Sequence, residues 1–244
     1  MIIFVVHYDV KHMKLYIIPT PISDDFDKTI PDYVIKVMHE LKFFIVERAR
    51  TARRYIKASG YQDSIEKLTF IELDKRDKDN LPNSFFQPAL EGNPIGLMSE
   101  AGMPGIADPG AKVVARAHQL GIKVIPLVGP SSIFLSLAAS GLNGQNFTFD
   151  GYLPVKIQEL KKKLIHIEKE IFSKGATHIF IETPYRNNRM VEILLNSFNT
   201  NIKLCIASEI TGSDEYVLTK TIGEWKKNKP KDLHKKTCIF LIGK

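Results

Sequence analysis

Two rhythms of apolar residues alternate along this chain. Short unbroken runs at residues 15–18, 43–46, 68–73, 95–98 and 124–128 read as strands. Between them lie longer stretches whose apolar positions fall three and four apart. In residues 30–41 these are Tyr33-Val34, Val37-Met38 and Leu41, a helical spacing. Further helices are predicted over 51–59, 112–120 and 131–140, each followed by a glycine, Gly60, Gly121 or Gly141, the usual stop signal. A charged loop at 74–79 precedes another helix, 81–90, interrupted by Pro88. Strand and helix in regular alternation predict an α/β layer with a largely parallel sheet.

A domain boundary is predicted at Gly151-Tyr152-Leu153-Pro154, with residues 147–149 completing the first domain. Beyond it come a charged helix at 156–172 and strands at 177–182, 203–208, 216–221 and 237–242, with a helix at 189–197. The predicted organisation is an extension at 1–12, an N-terminal α/β domain at 13–150 and a C-terminal α/β domain at 151–244 with a mixed sheet. The segment Met1-Ile2-Ile3-Phe4-Val5-Val6 lacks the positive start, length and cleavage site of a signal peptide. It reads either as an extra edge strand at 2–6 or as sequence ahead of a natural start at Met13. No targeting signal is recognised, and a cytoplasmic location is expected.

Composition narrows the picture. Of 244 residues 44% are hydrophobic and 25% charged, ordinary for a globular protein. No apolar run approaches the ~20 residues of a membrane helix. The two cysteines, Cys205 and Cys238, lie inside apolar runs and read as core residues in a reducing compartment. Seven histidines show no ligand spacing, so no metal is expected. The net charge of +7 suits a polyanionic partner such as RNA. Arg48, Arg50, Arg53, Arg54 and Lys57 form one basic group; Lys161-Lys162-Lys163 and the lysines from Lys226 to Lys236 form two others. Guanidinium forks suit phosphate geometry, whereas the lysine runs read as solvated surface.

Candidate chemistry gathers where strands end. Three Gly/Pro-rich loops follow predicted strands: Pro19-Thr20-Pro21, the stretch from Ser99 through Gly102 and Ile106 to Gly110, and Gly129-Pro130-Ser131-Ser132. Glycine permits close backbone approach to a ligand and proline stiffens a loop, and open α/β sheets bind ligands at this edge. There is no GxxxxGK, GxGxxG or GxSxG, which argues against a P-loop nucleotidase, a Rossmann enzyme and a serine hydrolase.

The run Leu97-Met98-Ser99-Glu100-Ala101-Gly102-Met103-Pro104-Gly105-Ile106-Ala107-Asp108-Pro109-Gly110 closely resembles the signature loop of the ribosomal RNA small-subunit methyltransferase I group. That group belongs to the tetrapyrrole methylase (class III) superfamily of S-adenosylmethionine enzymes. The resemblance extends through Pro19-Thr20-Pro21-Ile22, Val128-Gly129-Pro130-Ser131, Glu182-Thr183-Pro184-Tyr185-Arg186 and Ala207-Ser208-Glu209. It implies two α/β domains with the cofactor cleft between them, S-adenosylmethionine as cofactor, a homodimer, and methylation of a ribose 2′-hydroxyl in small-subunit ribosomal RNA. By position, the implied cofactor residues are Pro19, Ser99, Glu100, Ala101, Gly102, Ile106, Ser131, Ser132, Thr183, Pro184, Tyr185, Ala207, Ser208, Thr237 and Cys238. Arg48, Arg50, Arg53 and Arg54 are the substrate-binding candidates.

A base for the acceptor hydroxyl would come from Glu47 or Glu100, while Glu182 reads as an ion-pair partner or cap. The group's usual acid-Asp-Thr-Arg-His run is here Glu47-Arg48-Ala49-Arg50-Thr51, and its signature aspartate is Glu100. These departures keep two alternatives in view: a methylase of a small tetrapyrrole-like molecule, and a cofactor-binding assembly protein without catalysis.

Overall fold

In the computed structural model of the chain, β1 (Lys14–Ile18), β2 (Phe43–Val46), β3 (Thr69–Glu72), β4 (Ile95–Met98) and β5 (Lys123–Pro126) form a sheet ordered β3-β2-β4-β1-β5. Every pairing in it is parallel, as the alternating pattern predicts. The structure describes residues 13–23, 28–73 and 81–244; the strand considered at 2–6 and the loop at 74–79 lie outside them.

Side chains alternate between the two faces of this sheet. Ile18, Phe44, Val46 and Met98 pack on one side with α1 (Asp32–Glu40) and α2 (Ala49–Ala58). Leu15, Ile17, Ile45, Ile95 and Leu97 pack on the other with Phe86, Ala89 of α3 (Gln87–Leu90), and Val113 and Ala117 of α4 (Gly110–Gln119). Burying each large aliphatic contributes about 1.5–3 kcal/mol. The helix predicted at 81–90 is instead a 3-10 turn, Asn83–Phe86, followed by the single turn α3. Pro88 sits in the first turn of α3, where its missing N–H does no harm but where a longer preceding helix cannot run through it.

The second unit holds α5 (Ser132–Ser140), β6 (Phe147–Tyr152), α6 (Ile157–Lys174), β7 (Thr177–Ile181), α7 (Asn187–Ser197), β8 (Lys203–Ser208), β9 (Tyr216–Thr221), α8 (Ile222–Lys227) and β10 (Cys238–Gly243). Its sheet runs β6-β7-β10-β8-β9. Only the β6–β7 pairing is parallel, so the sheet is mixed, as expected. Leu160, Leu164, Ile167 and Ile171 make the buried stripe of α6 and meet Met190, Val191 and Leu194 of α7 over stacked Phe180 and Phe240. Helix α8 opens with a capping box between Thr221 and Glu224.

Contacts divide the chain into Met1–Pro130 and Ser131–Lys244, a division upstream of the boundary drawn from sequence at Gly151. Residues 147–149 do not complete the first domain: they belong to β6, which pairs with β7 in the second sheet. A short strand carries no mark of which sheet it joins. Helix α5 also packs on β8, β9 and β10.

Charges are buried beneath α6. The side chains of His178 and Asp150 are 0% and 2% exposed. His178 Nδ1 lies 2.8 Å from Asp150 Oδ2, and Lys163 Nζ lies 2.6 Å from Asp150 Oδ1. Burial pushes the Asp150 carboxyl up, but the bonds from His178 and Lys163 outweigh it and hold the group below the usual carboxylate range. Among the described residues no helix is long and apolar enough to cross a membrane.

Candidate functional site

The three Gly/Pro loops predicted to share an edge of the first sheet are fastened to one another. Pro19 ends β1, and Thr20 then pairs with Gly102 in both directions: Thr20 N–H donates to Gly102 O at 2.9 Å, and Gly102 N–H to Thr20 O at 3.0 Å. Ser99 Oγ donates to the carbonyls of Ala101 and Gly102 at 3.3 Å. Gly102 has φ +75°, and a Cβ there would stand 3.2 Å from Ile22 Cγ2. Gly129 lies closer still, since its Cβ would stand 2.2 Å from two carbons of the Pro19 ring. Pro19, Ser99, Ala101, Gly102 and Gly129 thus form one closely packed edge in which neither glycine has room for a side chain.

Asp108, which the sequence did not single out, organises the remainder of the long loop. Its Oδ1 accepts from Gly105 N–H at 2.8 Å and from Gly110 N–H at 2.7 Å. Burial raises its carboxyl pKa, and these two bonds oppose that shift. The available signal was Asp-Pro-Gly ahead of a helix, a pattern in which aspartate bonds a backbone N–H two residues on. Ile106 is exposed on the same loop.

Glu47 and Glu100 meet beside this edge. Glu47 Oε1 accepts from the Glu100 backbone N–H at 3.0 Å, so Glu47 holds its neighbour's main chain. Glu100 Oε2 accepts from Thr51 Oγ1 at 3.2 Å and lies 3.9 Å from Arg48 Nε. A cavity of about 390 Å³ opens here, lined by Thr20, Ser99 and Glu100 on one side and by Thr51, Arg54 and Tyr55 of α2 on the other. The four arginines therefore part company. Arg54 lines the cavity and Arg48 flanks Glu100. Arg53 lies over the Phe70 ring, 5.0 Å from its centre. Arg50 is exposed.

In the second unit, Thr183-Pro184-Tyr185 follows β7, Ala207 and Ser208 end β8, and Cys238 opens β10 directly after Thr237. Cys238 is in register with Ser208, so these candidates gather at one end of the sheet. Thr237 N–H and Oγ1 both donate to Glu209 Oε1, at 2.5 and 2.8 Å. Tyr185, 71% exposed, stands edge-on to His234 at 5.6 Å. Glu182 is buried, accepting from Thr183 N–H at 2.7 Å and pairing with Arg186 at 3.0 Å, the fastening role that its sequence context favours. Burial pushes the Cys238 thiol up to about 11, so it is not a nucleophile near neutrality. Ser131 is the N-cap residue of α5 and Ser132 its first residue. Among the described residues no three His, Cys, Asp or Glu side chains group as metal ligands.

No family model matches the chain. Among curated proteins it is 31% identical over 210 residues to ribosomal RNA small subunit methyltransferase I of Vibrio cholerae, covering 86% of this chain and 69% of that protein. It is 31% identical over 211 residues to the protein of the same name from Halalkalibacterium halodurans, covering 86% and 68%. To that of Xylella fastidiosa it is 28% identical over 228 residues, covering 93% and 80%. Among solved structures it resembles cobalt precorrin-4 methyltransferase, a cobalamin biosynthetic enzyme, with a TM-score of 0.61 at 14% identity over 96% of each chain. It also resembles the methyltransferase CobJ, with a TM-score of 0.60 at 16% identity over 94% of this chain and 93% of that one. At such identities the structural likeness speaks for the fold alone.

Proposed function

Since the chain belongs to the ribosomal RNA small subunit methyltransferase I family, we propose that it transfers a methyl group from S-adenosylmethionine to a ribose 2′-hydroxyl of small-subunit ribosomal RNA. The observation that carries this reading is the sequence relation to proteins of that name over most of the chain. A cytoplasmic homodimer is part of the same proposal.

The fastened edge of the first unit fits the donor. Gly129 lets the third loop lie directly against the Pro19 ring and Gly102 lets the long loop lie against Ile22, so the edge presents main chain rather than side chains to a ligand. Ser99, Ala101 and Gly102 are the residues proposed to hold it there. When bound, S-adenosylmethionine supplies an electrophilic methyl on a sulfonium. The chain's task is then to fix the acceptor, and positioning of that kind is worth about 7–11 kcal/mol. Glu100 is the proposed acceptor of the hydroxyl proton, with Thr51 and Arg48 orienting its carboxylate; Glu47, committed to the Glu100 main chain, is the positioning residue. A positioned base contributes about 10²–10⁴-fold.

Calorimetric titration of the purified protein tests the donor assignment. Heat is expected with S-adenosylmethionine and with its demethylated product, without added metal. Heat from neither, while NAD or ATP binds, would overturn it.

A further inference from the structure

The cavity beside α2 touches the fastened loops only at their rim. It is lined by Thr20, Ser99 and Glu100, but not by Ala101, Gly102 or Gly129. Its other wall is one face of α2, where Thr51, Arg54, Tyr55 and Ala58 recur three and four positions apart. We propose that this cavity receives a single nucleotide extruded from the RNA, with Arg54 on its phosphate and the Thr51–Glu100 pair on its ribose. This inference rests on the reading of the protein as an RNA methyltransferase.

Size comes first. About 390 Å³ lies at the low end of small-molecule pockets, roughly 300–1,000 Å³. That suits one nucleoside and excludes a helix. The lining chemistry agrees. The hydroxyls of Thr20, Thr51 and Ser99 give their protons to protein oxygens, so with the Glu100 carboxylate they offer acceptors to the hydroxyls of a sugar. Thr51 and Arg48 address Oε2 of Glu100; among the described residues Oε1 accepts no hydrogen bond. Among the described residues no carboxylate pairs with Arg54, and a guanidinium fork matches a phosphate. The placement also answers the reaction's demand, because an acceptor must adjoin the donor's edge, and this cavity meets that edge at Ser99 and Glu100.

Two variants test the proposal, read by methyl transfer to small ribosomal subunits lacking the modification and by calorimetry with the donor. Arg54→Ala should raise KM for the subunit about 10–100-fold, the worth of one charged hydrogen-bonded contact. It should also flatten the log–log salt dependence of RNA binding by about 0.7. Arg54→Lys should restore the salt dependence but only part of KM, because the charge returns without the fork. Ala58→Trp should fill the cavity and lower kcat/KM for the subunit at least about 100-fold, as loss of a buried contact surface does, with donor affinity kept. If Arg54→Ala leaves KM and salt dependence unchanged, or Ala58→Trp lowers donor affinity instead, the cavity is not the acceptor's, although RNA methylation by the unaltered protein still stands. If the unaltered protein methylates no RNA, the reading and this proposal fall together.

Discussion

Gly129→Ala is expected to cost the protein most of its affinity for the methyl donor, although it adds a single carbon. The new Cβ would stand 2.2 Å from both Cβ and Cγ of Pro19, where neither group can turn aside: a proline ring is locked to its own backbone. The loop after β1 must therefore move. Thr20, the next residue, is tied in both directions to Gly102, so a shift at Pro19 reaches the long loop. Overpacking of this kind costs about 1–3 kcal/mol, and a displacement near 1 Å at a positioned site costs on the order of 10²-fold in rate. A loss of donor affinity of about that size is expected by calorimetry, with a modest fall in melting temperature. Gly144→Ala is the control, because a Cβ there meets nothing within 4 Å. Unchanged donor binding in Gly129→Ala would remove the fastened edge from the donor site.

Asp150→Ala should produce the largest loss of stability. The carboxylate is 2% exposed and bridges His178 and Lys163. Deleting it leaves Lys163 and the Nδ1 of His178 without their acceptor, although Glu170 Oε2 remains 3.5 Å from His178 Nε2, and breaking a buried pair in this way costs about 3–5 kcal/mol. For a chain of this length that corresponds to a fall in Tm of roughly 10 °C. The pH dependence has a definite sign. Asp150 titrates lower in the folded chain than in the unfolded one, so its contribution is fully present above the ordinary carboxylate pKa of about 4 and is lost as pH falls through the depressed value. The gap between the two melting curves should therefore be widest near neutrality and close on strong acidification. A constant gap at all pH values would mean that the carboxylate stabilises by packing alone.

Elements with a strong local signature were legible in the sequence; their assembly was not. The apolar runs that became β1, β2 and β4 and the stripe of α6 declare themselves by period. Strand order does not, and residues 147–149 look alike whether they join the first sheet or the second. The three loops were visible as glycine and proline punctuation. The bond that joins two of them links Thr20 to Gly102, 82 positions apart, and no local pattern announces it. The arginine group shows the same boundary. Arg53 and Arg54 are neighbours in sequence, but one step along a helix turns a side chain by about 100°; one meets Phe70 and the other the cavity. Asp108 was overlooked because its role lies in two backbone N–H groups rather than in a recognisable catalytic pairing.

Methyl transfer itself is the most direct measurement. Small ribosomal subunits from a strain lacking the modification are incubated with the purified protein and methyl-labelled S-adenosylmethionine, and the RNA is then digested with alkali. Label is expected in small-subunit RNA, within an alkali-resistant dinucleotide, because a methylated 2′-oxygen can no longer attack the neighbouring phosphate. Donor binding without any label entering the RNA, or label passing to a tetrapyrrole in its place, would contradict the proposed function.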